Sequence, residues 1–159
     1  MDEKQKKILG RLQTQCARRE YCSKDIFKKA LEKTEGDEAA AQEILQSLLS
    51  DGFVSDLRYA SAFAREKSGI SGWGPAKISF ALRAKGIGRE EIEAALLDID
   101  PDKADSKLRK LMEHKWKSLQ SDPQGKLKLL RFALSRGYSY DKIRALAEEI
   151  TSQSVSDDI

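Results

Sequence analysis

Apolar side chains recur along this chain three or four residues apart, which is the spacing of an α-helix with one buried face. The clearest case lies between Pro75 and Gly86, where Ile78, Ala81 and Leu82 share one side. Proline suits the first position of a helix because the amide hydrogen it lacks would have no partner there, and glycine suits the residue just past the end. Similar segments follow one another along the chain, and no stretch alternates convincingly as a strand would. The pattern therefore predicts an all-α protein of about nine helices.

Glycines that would end helices recur about fifty residues apart, at Gly36, Gly86 and Gly137. The segments ALRAKGIGREEI (81–92) and ALSRGYSYDKI (133–143) align with a single gap. We therefore predict three tandem three-helix repeats, each too small to bury its own apolar face, that stack into an elongated and curved array. The predicted bounds are 1–52, 53–100 and 101–150, followed by a flexible tail at 151–159.

Composition and charge are typical of a helix-rich protein of the cytosol. Charged residues make up 35% of the chain, hydrophobic residues 40%, and the net charge is +3. Two cysteines are too few for a disulfide framework, and the sequence has neither a signal peptide nor an apolar run of about 18 residues. We therefore expect a cytoplasmic protein, monomeric and without a membrane segment.

The sequence has no pattern typical of an active site. His114 is the only histidine, and a lone histidine is far more often a surface or packing residue than a metal ligand. The acids Glu90, Glu91 and Glu93 lie at the start of a predicted helix, where the helix dipole favours negative charge. The glycines before the fifth helix lack the spacing of a dinucleotide fingerprint and follow no strand. We therefore expect no enzyme, no metal and no cofactor.

The strongest candidate for a binding surface is a stretch that lacks acids. Between residues 67 and 89 there is no carboxylate, and a second basic concentration runs from Lys103 to Arg144. Two basic surfaces on a long array suit an extended polyanionic or acidic partner, although charge runs are often only a solvated helix face. Trp73 suits either a core position or a partner contact. A helix-turn-helix arrangement is an alternative, but no base-reading helix stands out.

Four segments of the chain resemble a known family. They read ARREYCSKDI (17–26), LLSDGFVSDLRYASAFAREK (48–67), GWGPAKISFALRAKGI (72–87) and RFALSRGYSYDKIR (131–144). The third is the most specific, and the second supplies Asp56, Arg58, Tyr59 and Ala60 of a shorter motif. On these segments the chain resembles the RecX family, bacterial regulators of the RecA recombinase, from about residue 10 to residue 150.

The resemblance implies an all-helical array that lies in the groove of the RecA–single-stranded-DNA filament and spans neighbouring RecA subunits. It implies a regulator of homologous recombination, DNA repair and the SOS response, which lowers ATP hydrolysis, strand exchange and co-protease activity by blocking filament growth and favouring disassembly. The alternative is a helical module that binds single-stranded or double-stranded DNA and affects RecA only by competition. The expected partner contacts are the basic residues and the tryptophan of the two surfaces: Trp73, Lys77, Arg83, Lys85, Arg89, Lys126, Lys128, Arg131 and Arg136.

Overall fold

A computed structural model describes residues 1–157 of the chain, with side chains through residue 153. Those residues form nine α-helices and no strand, which confirms the predicted all-α class. The helices are α1 (Glu3–Arg18), α2 (Ser23–Lys33), α3 (Glu38–Ser50), α4 (Asp56–Gly69), α5 (Pro75–Ala84), α6 (Arg89–Leu97), α7 (Pro101–Leu119), α8 (Gly125–Leu134) and α9 (Tyr140–Asp157). No helix in this part of the chain combines the length and the apolar character that a membrane span needs.

The ends of α5 follow the predicted chemistry. The helix begins at Pro75, and Gly86 lies just beyond it with φ of 77°, the left-handed conformation that glycine adopts without strain. At the other end of the chain, α9 extends to Asp157, beyond the boundary predicted at residue 150. Residues 158–159 of the predicted tail lie outside the described residues.

The helices pack into two compact units. Unit 1 combines Met1–Ala62 with Leu82–Leu97, and unit 2 combines Phe63–Ala81 with the chain from Asp98 onward. These units group segments by packing, whereas the predicted repeats group them by similarity of sequence. The repeat bounds and the curved shape of the array therefore stay predictions.

In unit 1, α1, α2 and α3 enclose an aliphatic core. The fully buried side chains include Leu12, Ile26, Ile44 and Leu48, which lie on the apolar faces that the helical period predicts. Each is completely removed from solvent, and burial of such apolar side chains stabilises the unit.

Asp56 and Arg58, two residues of the recognised motif, hold unit 1 together from the start of α4. The backbone N–H and the hydroxyl of Ser23 donate to the two carboxylate oxygens of Asp56, at 2.8 and 2.7 Å. Arg58 donates to the carbonyl of Gly52 at 2.7 Å and to the carboxylate of Glu20 at 2.9 Å. Charge-assisted hydrogen bonds of this kind are roughly twice as strong as neutral ones. These two residues of the motif thus form hydrogen bonds within the unit.

In unit 2, α7, α8 and α9 form a second core. Leu108, Met112, Leu129 and Ile143 are fully buried there, and Trp116 packs against them partly exposed. Because the buried residues of α7 occupy one side of a 19-residue helix, the opposite side of α7 faces solvent along its length.

Candidate partner-binding site

Trp73 lies half-buried in unit 2, in the turn that precedes α5. The ammonium groups of Lys67 and Lys77 lie over its ring, 4.9 and 4.5 Å from the centroid, and Phe63 meets it edge-on at 6.1 Å. Ammonium groups this close to an indole face are attracted by its quadrupole. Trp73 therefore packs within unit 2 and keeps a partly accessible ring, and its role as a partner contact stays a prediction.

Hydrogen bonds fix the turn that carries Trp73 against the connection between α8 and α9. The N–H of Gly74 donates to the carbonyl of Arg136 at 2.5 Å, and the N–H of Ala76 donates to the carbonyl of Gly137 at 3.2 Å. Three side chains add bonds to carbonyls across the same junction: Arg136 to Ser71 (3.2 Å), Tyr138 to Trp73 (3.3 Å) and Lys77 to Ser135 (3.2 Å). Lys77 and Arg136, both predicted partner contacts, thus already hydrogen-bond within unit 2.

The cations predicted around the end of α5 differ in how they are engaged within unit 1. Lys85 forms an ion pair with Asp25 at 3.1 Å, and Arg89 pairs with Glu93, four residues further on, at 3.0 Å. Arg83 is exposed and has no ion pair or side-chain hydrogen bond with any residue in the described part of the chain. Of these three, Arg83 therefore has the side chain most available to a partner.

The ion pair between Lys85 and Asp25 shifts the pKa of both side chains. Burial would raise the pKa of the Asp25 carboxyl, but hydrogen bonds from Lys85 and from Cys22 outweigh burial, so this pKa lies below its ordinary value. The hydrogen bond to Asp25 raises the pKa of Lys85. Burial also raises the pKa of the Cys22 thiol, which keeps it protonated near neutral pH. Lys85 thus joins α2 to the segment that follows α5, a structural role that the sequence could not assign.

We expect Lys85→Gln to lower the free energy of unfolding by at most about 1 kcal/mol at neutral pH, because both partners are partly exposed. The folded pKa of Asp25 lies below the unfolded value of 3.8, so the pair stabilises the fold above that pH and the contribution disappears as the pH falls through the folded pKa. Urea titrations should therefore give a constant difference between wild type and variant from about pH 8 to about pH 5, and a shrinking one below about pH 4. A difference that persists undiminished at about pH 2 would contradict this role.

The predicted contact residues of α8 also differ in whether they form ion pairs within the described part of the chain. Lys128 pairs with Asp122 at 2.5 Å, and this hydrogen bond lowers the pKa of the Asp122 carboxyl. Lys126 and Arg131 are exposed and form no ion pair or side-chain hydrogen bond with other described residues. The structure thus brings Trp73, Lys77 and Arg136 together within unit 2, and leaves Lys126 and Arg131 open on α8.

Phe80 is a surface residue that the sequence interpretation did not single out. Its side chain is 71% exposed in the middle of α5, a helix without acidic residues. The signal was present in the sequence, because Phe80 lies two positions after Ile78 and therefore off the buried stripe of that helix. A large exposed aromatic ring is typical of residues that dominate protein interfaces.

His114, the only histidine, is exposed on α7. Among the described residues no group of three or more histidine, cysteine or acidic side chains is placed to hold a metal ion.

Two family models match the chain, described as the second and the third three-helix domain of RecX, at residues 55–96 and 104–146. Both ranges lie inside the segments predicted as the second and third repeats. A regulatory protein RecX from Pseudomonas putida (strain GB-1) is 32% identical over 135 residues, which cover 82% of each chain. The chain belongs to the RecX family. This confirms the resemblance found in the sequence.

Other RecX proteins are similar over the same part of the chain. A regulatory protein RecX from Bacillus mycoides (strain KBAB4) is 31% identical over 133 residues, covering 82% of this chain and 49% of that longer protein. A crystal structure of regulatory protein RecX matches with a TM-score of 0.80 at 23% identity, over 92% of this chain and 72% of that one. The crystal structure of RecX from Lactobacillus salivarius matches with a TM-score of 0.76 at 22% identity, over 94% and 98%. The two structures show that the fold is shared with RecX.

Proposed function

We propose that this RecX-family chain binds the RecA–single-stranded-DNA filament and lowers its ATPase, strand-exchange and co-protease activities without making or breaking a covalent bond. It acts as a cytoplasmic monomer that occupies the filament groove. The observation that carries the proposal is membership of a family of regulatory proteins across 82% of the chain. The exposed cations Arg83, Lys126 and Arg131 support it, since they are predicted contacts that have no ion pair with any described residue.

A filament is a favourable target for a chain with several modest contacts. Its subunits repeat, so that separate surfaces of one regulator meet equivalent sites on neighbouring subunits, and each contact raises the effective concentration of the next. Exposed cations add attraction at long range, which speeds docking and makes the affinity depend on salt. Tight binding then needs no deep pocket.

Two aromatic residues of unit 2 suit the anchoring part of such an interface. Trp73 is held in place by the hydrogen-bonded turn, so little conformational entropy is lost when a partner packs on it. Phe80 offers an exposed ring with a large apolar area. Tryptophan is among the residues enriched where a few side chains carry most of the binding energy, and aromatic residues generally are enriched at interfaces.

The test is RecA ATPase on single-stranded DNA with the chain added well below the concentration of RecA. We expect inhibition, because one bound regulator blocks a filament of many subunits. A module that acts only by competing for DNA must cover the strand, so its inhibition would begin only when the chain approaches the concentration of DNA sites. If the concentration needed for inhibition rises in proportion to the concentration of DNA sites, the competition mechanism is favoured. No inhibition at any dose would contradict both filament binding and competition for DNA.

We expect Phe80→Ala to raise the concentration of the chain needed for half-inhibition of the ATPase at least tenfold, or about 1.4 kcal/mol. The free energy of unfolding should change little, because the ring is largely exposed in the free chain. Leu97→Ala is the matched control, since Leu97 is 88% exposed in unit 1. Equal inhibition by wild type and Phe80→Ala would remove this ring from the interface.

A further inference from the structure

A stripe of leucines runs along the outer side of α8. Leu127, Leu130 and Leu134 follow one another at steps of three and four residues, so they share an arc of about 60° on the helix. Leu127 is 44% and Leu134 40% exposed, and Leu130 between them is partly buried against the core of unit 2. The buried residues Leu129 and Ala133 occupy a different side of the helix. The leucine stripe, as we call Leu127, Leu130 and Leu134, is therefore an apolar seam that unit 2 leaves partly uncovered.

Cations flank the leucine stripe on both sides. In the seven-residue notation of a coiled coil, Leu127 and Leu134 take position a and Leu130 takes position d. Lys126 then falls at position g and Arg131 at position e. Both cations are exposed and have no ion pair with a described residue. Because α8 contains no acidic residue, the charge beside the stripe has a single sign.

An apolar seam with charges at its edges is typical of a helix that pairs with another helix. Side chains at positions a and d pack between the side chains of the facing helix, and charges at e and g determine which partner is preferred. A helix whose outer side meets only water normally carries polar residues there. The ten residues of α8 give a seam of less than three turns. The contact is therefore a short one, which adds to other contacts of the chain.

We propose that α8 docks an amphipathic helix of the partner, with apolar residues at its own a and d positions and carboxylates at its e and g positions. Charge complementarity selects this occupant, because Lys126 and Arg131 would form ion pairs across the seam. Another copy of α8 would bring like charges to the same positions. A lipid surface fits less well, since an interfacial helix needs a wide apolar face and Arg131 lies beside the centre of this one. The inference rests on the proposed function, in which the docked helix belongs to RecA.

The test titrates the isotopically labelled chain with a model peptide and follows the backbone amide signals of α8 by NMR, without RecA. The peptide, about three heptads long, has leucine at a and d and glutamate at e and g, where like charges keep it from pairing with itself. We expect the α8 signals to shift, and the affinity to fall as salt rises. Two control peptides should bind about tenfold more weakly or worse. One has the same composition with the leucines moved off the seven-residue repeat, and the other has lysine in place of glutamate.

Leu127→Gln with Leu134→Gln should raise the Kd of the acidic heptad peptide about tenfold or more. Glutamine forms helices about as well as leucine does but removes the apolar seam. The matched control is Leu57→Gln with Leu97→Gln, which changes two leucines of unit 1 that are 46% and 88% exposed. The control should bind the peptide as wild type does. Equal losses of affinity in the two double variants would overturn the proposal.

A second variant tests the charges and leaves the leucine stripe intact. Lys126→Gln with Arg131→Gln should lose most of the salt dependence of peptide binding, because the ion pairs at e and g are gone. Equal binding of the acidic heptad peptide and its shuffled form would show a cationic patch without a seam, and would overturn the proposal. So would the absence of any shift in the α8 signals. Binding of phosphatidylglycerol vesicles without a response to any peptide would assign the stripe to a lipid surface.

The RecA ATPase assay on the leucine variant separates this inference from the proposed function. If Leu127→Gln with Leu134→Gln inhibits RecA as wild type does and no peptide binds, helix docking on α8 is overturned and the proposed function stands. If wild type binds the acidic heptad peptide but does not inhibit RecA, the proposed function fails and α8 docks a helix of another protein. Loss of both peptide binding and inhibition in the leucine variant supports the docking of a RecA helix.

Discussion

Gly74→Ala is expected to lower the free energy of unfolding of unit 2 by roughly 2–5 kcal/mol, from lost hydrogen bonds and overpacking together. A β-carbon at Gly74 would lie 2.5 Å from the carbonyl oxygen of Gly137 and 2.8 Å from the Cγ atom of Tyr138. The nearer atom belongs to the backbone, which is unable to swing aside as the end of a flexible side chain would. The turn must therefore move away from the connection between α8 and α9.

Movement of the turn would break the hydrogen bonds that join it to that connection. The N–H groups of Gly74 and Ala76 would lose their carbonyl partners, at about 0.5–1.5 kcal/mol each. The position of Trp73 depends on the same junction through the hydroxyl of Tyr138. The substitution should therefore also weaken inhibition of RecA, as an indirect effect of a displaced ring.

The loss of free energy of unfolding is measured by urea denaturation, with circular dichroism as the signal. Gly69→Ala is the matched control in the same unit. A β-carbon at Gly69 meets nothing within 4 Å, and its φ does not lie in the left-handed region. We expect the control to differ from wild type by no more than about 0.5 kcal/mol. A similarly small change for Gly74→Ala would show that the close contact is not required for stability.

The elements that the sequence predicted well are those whose chemistry is local. Pro75 and Gly86 determine the two ends of α5 through their own backbone preferences, and the period of Ile78 and Leu82 identifies the face that is buried. These signals need no knowledge of the rest of the chain. The nine-helix class follows from the same kind of evidence.

Whether each cation forms an ion pair within the chain was not predictable in the same way. Lys85 and Arg83 look equivalent in the sequence, but Lys85 pairs with Asp25, sixty residues earlier in the chain. No local pattern reports such a pair, because it depends on how α2 packs in unit 1. The pair of Lys128 with Asp122 spans only six residues and was within reach of a local interpretation.

Helix α7 shows both cases at once. The helical spacing of its lysines is visible in the sequence, since Lys103, Lys107 and Lys110 fall on one face of any helix. What the sequence does not reveal is that Arg109 is neutralised by Glu149 from another helix, whereas these three lysines have no ion pair with a described residue. A count of charges over this stretch therefore mixes structural pairs with available cations, and only the packing separates them.

Reversing two charges on α8 is expected to weaken the regulation of RecA strongly. We expect Lys126→Glu with Arg131→Glu to raise the concentration for half-inhibition of RecA ATPase at least tenfold, or about 1.4 kcal/mol. Both side chains are exposed and unpaired among the described residues, so the reversal turns attraction to an acidic partner surface into repulsion. The free energy of unfolding should stay within about 0.5 kcal/mol of wild type, because no internal contact of either side chain is lost.

Lys7→Glu with Arg11→Glu is the control, since it makes the same change of net charge on α1, where both side chains are exposed and have no ion pair among the described residues. If net charge alone governs the affinity, the two double variants lose inhibition equally, which would contradict a contact through α8. Raising the salt concentration should reduce the difference in half-inhibition concentration between wild type and the α8 variant, because screening weakens the attraction that the variant lacks.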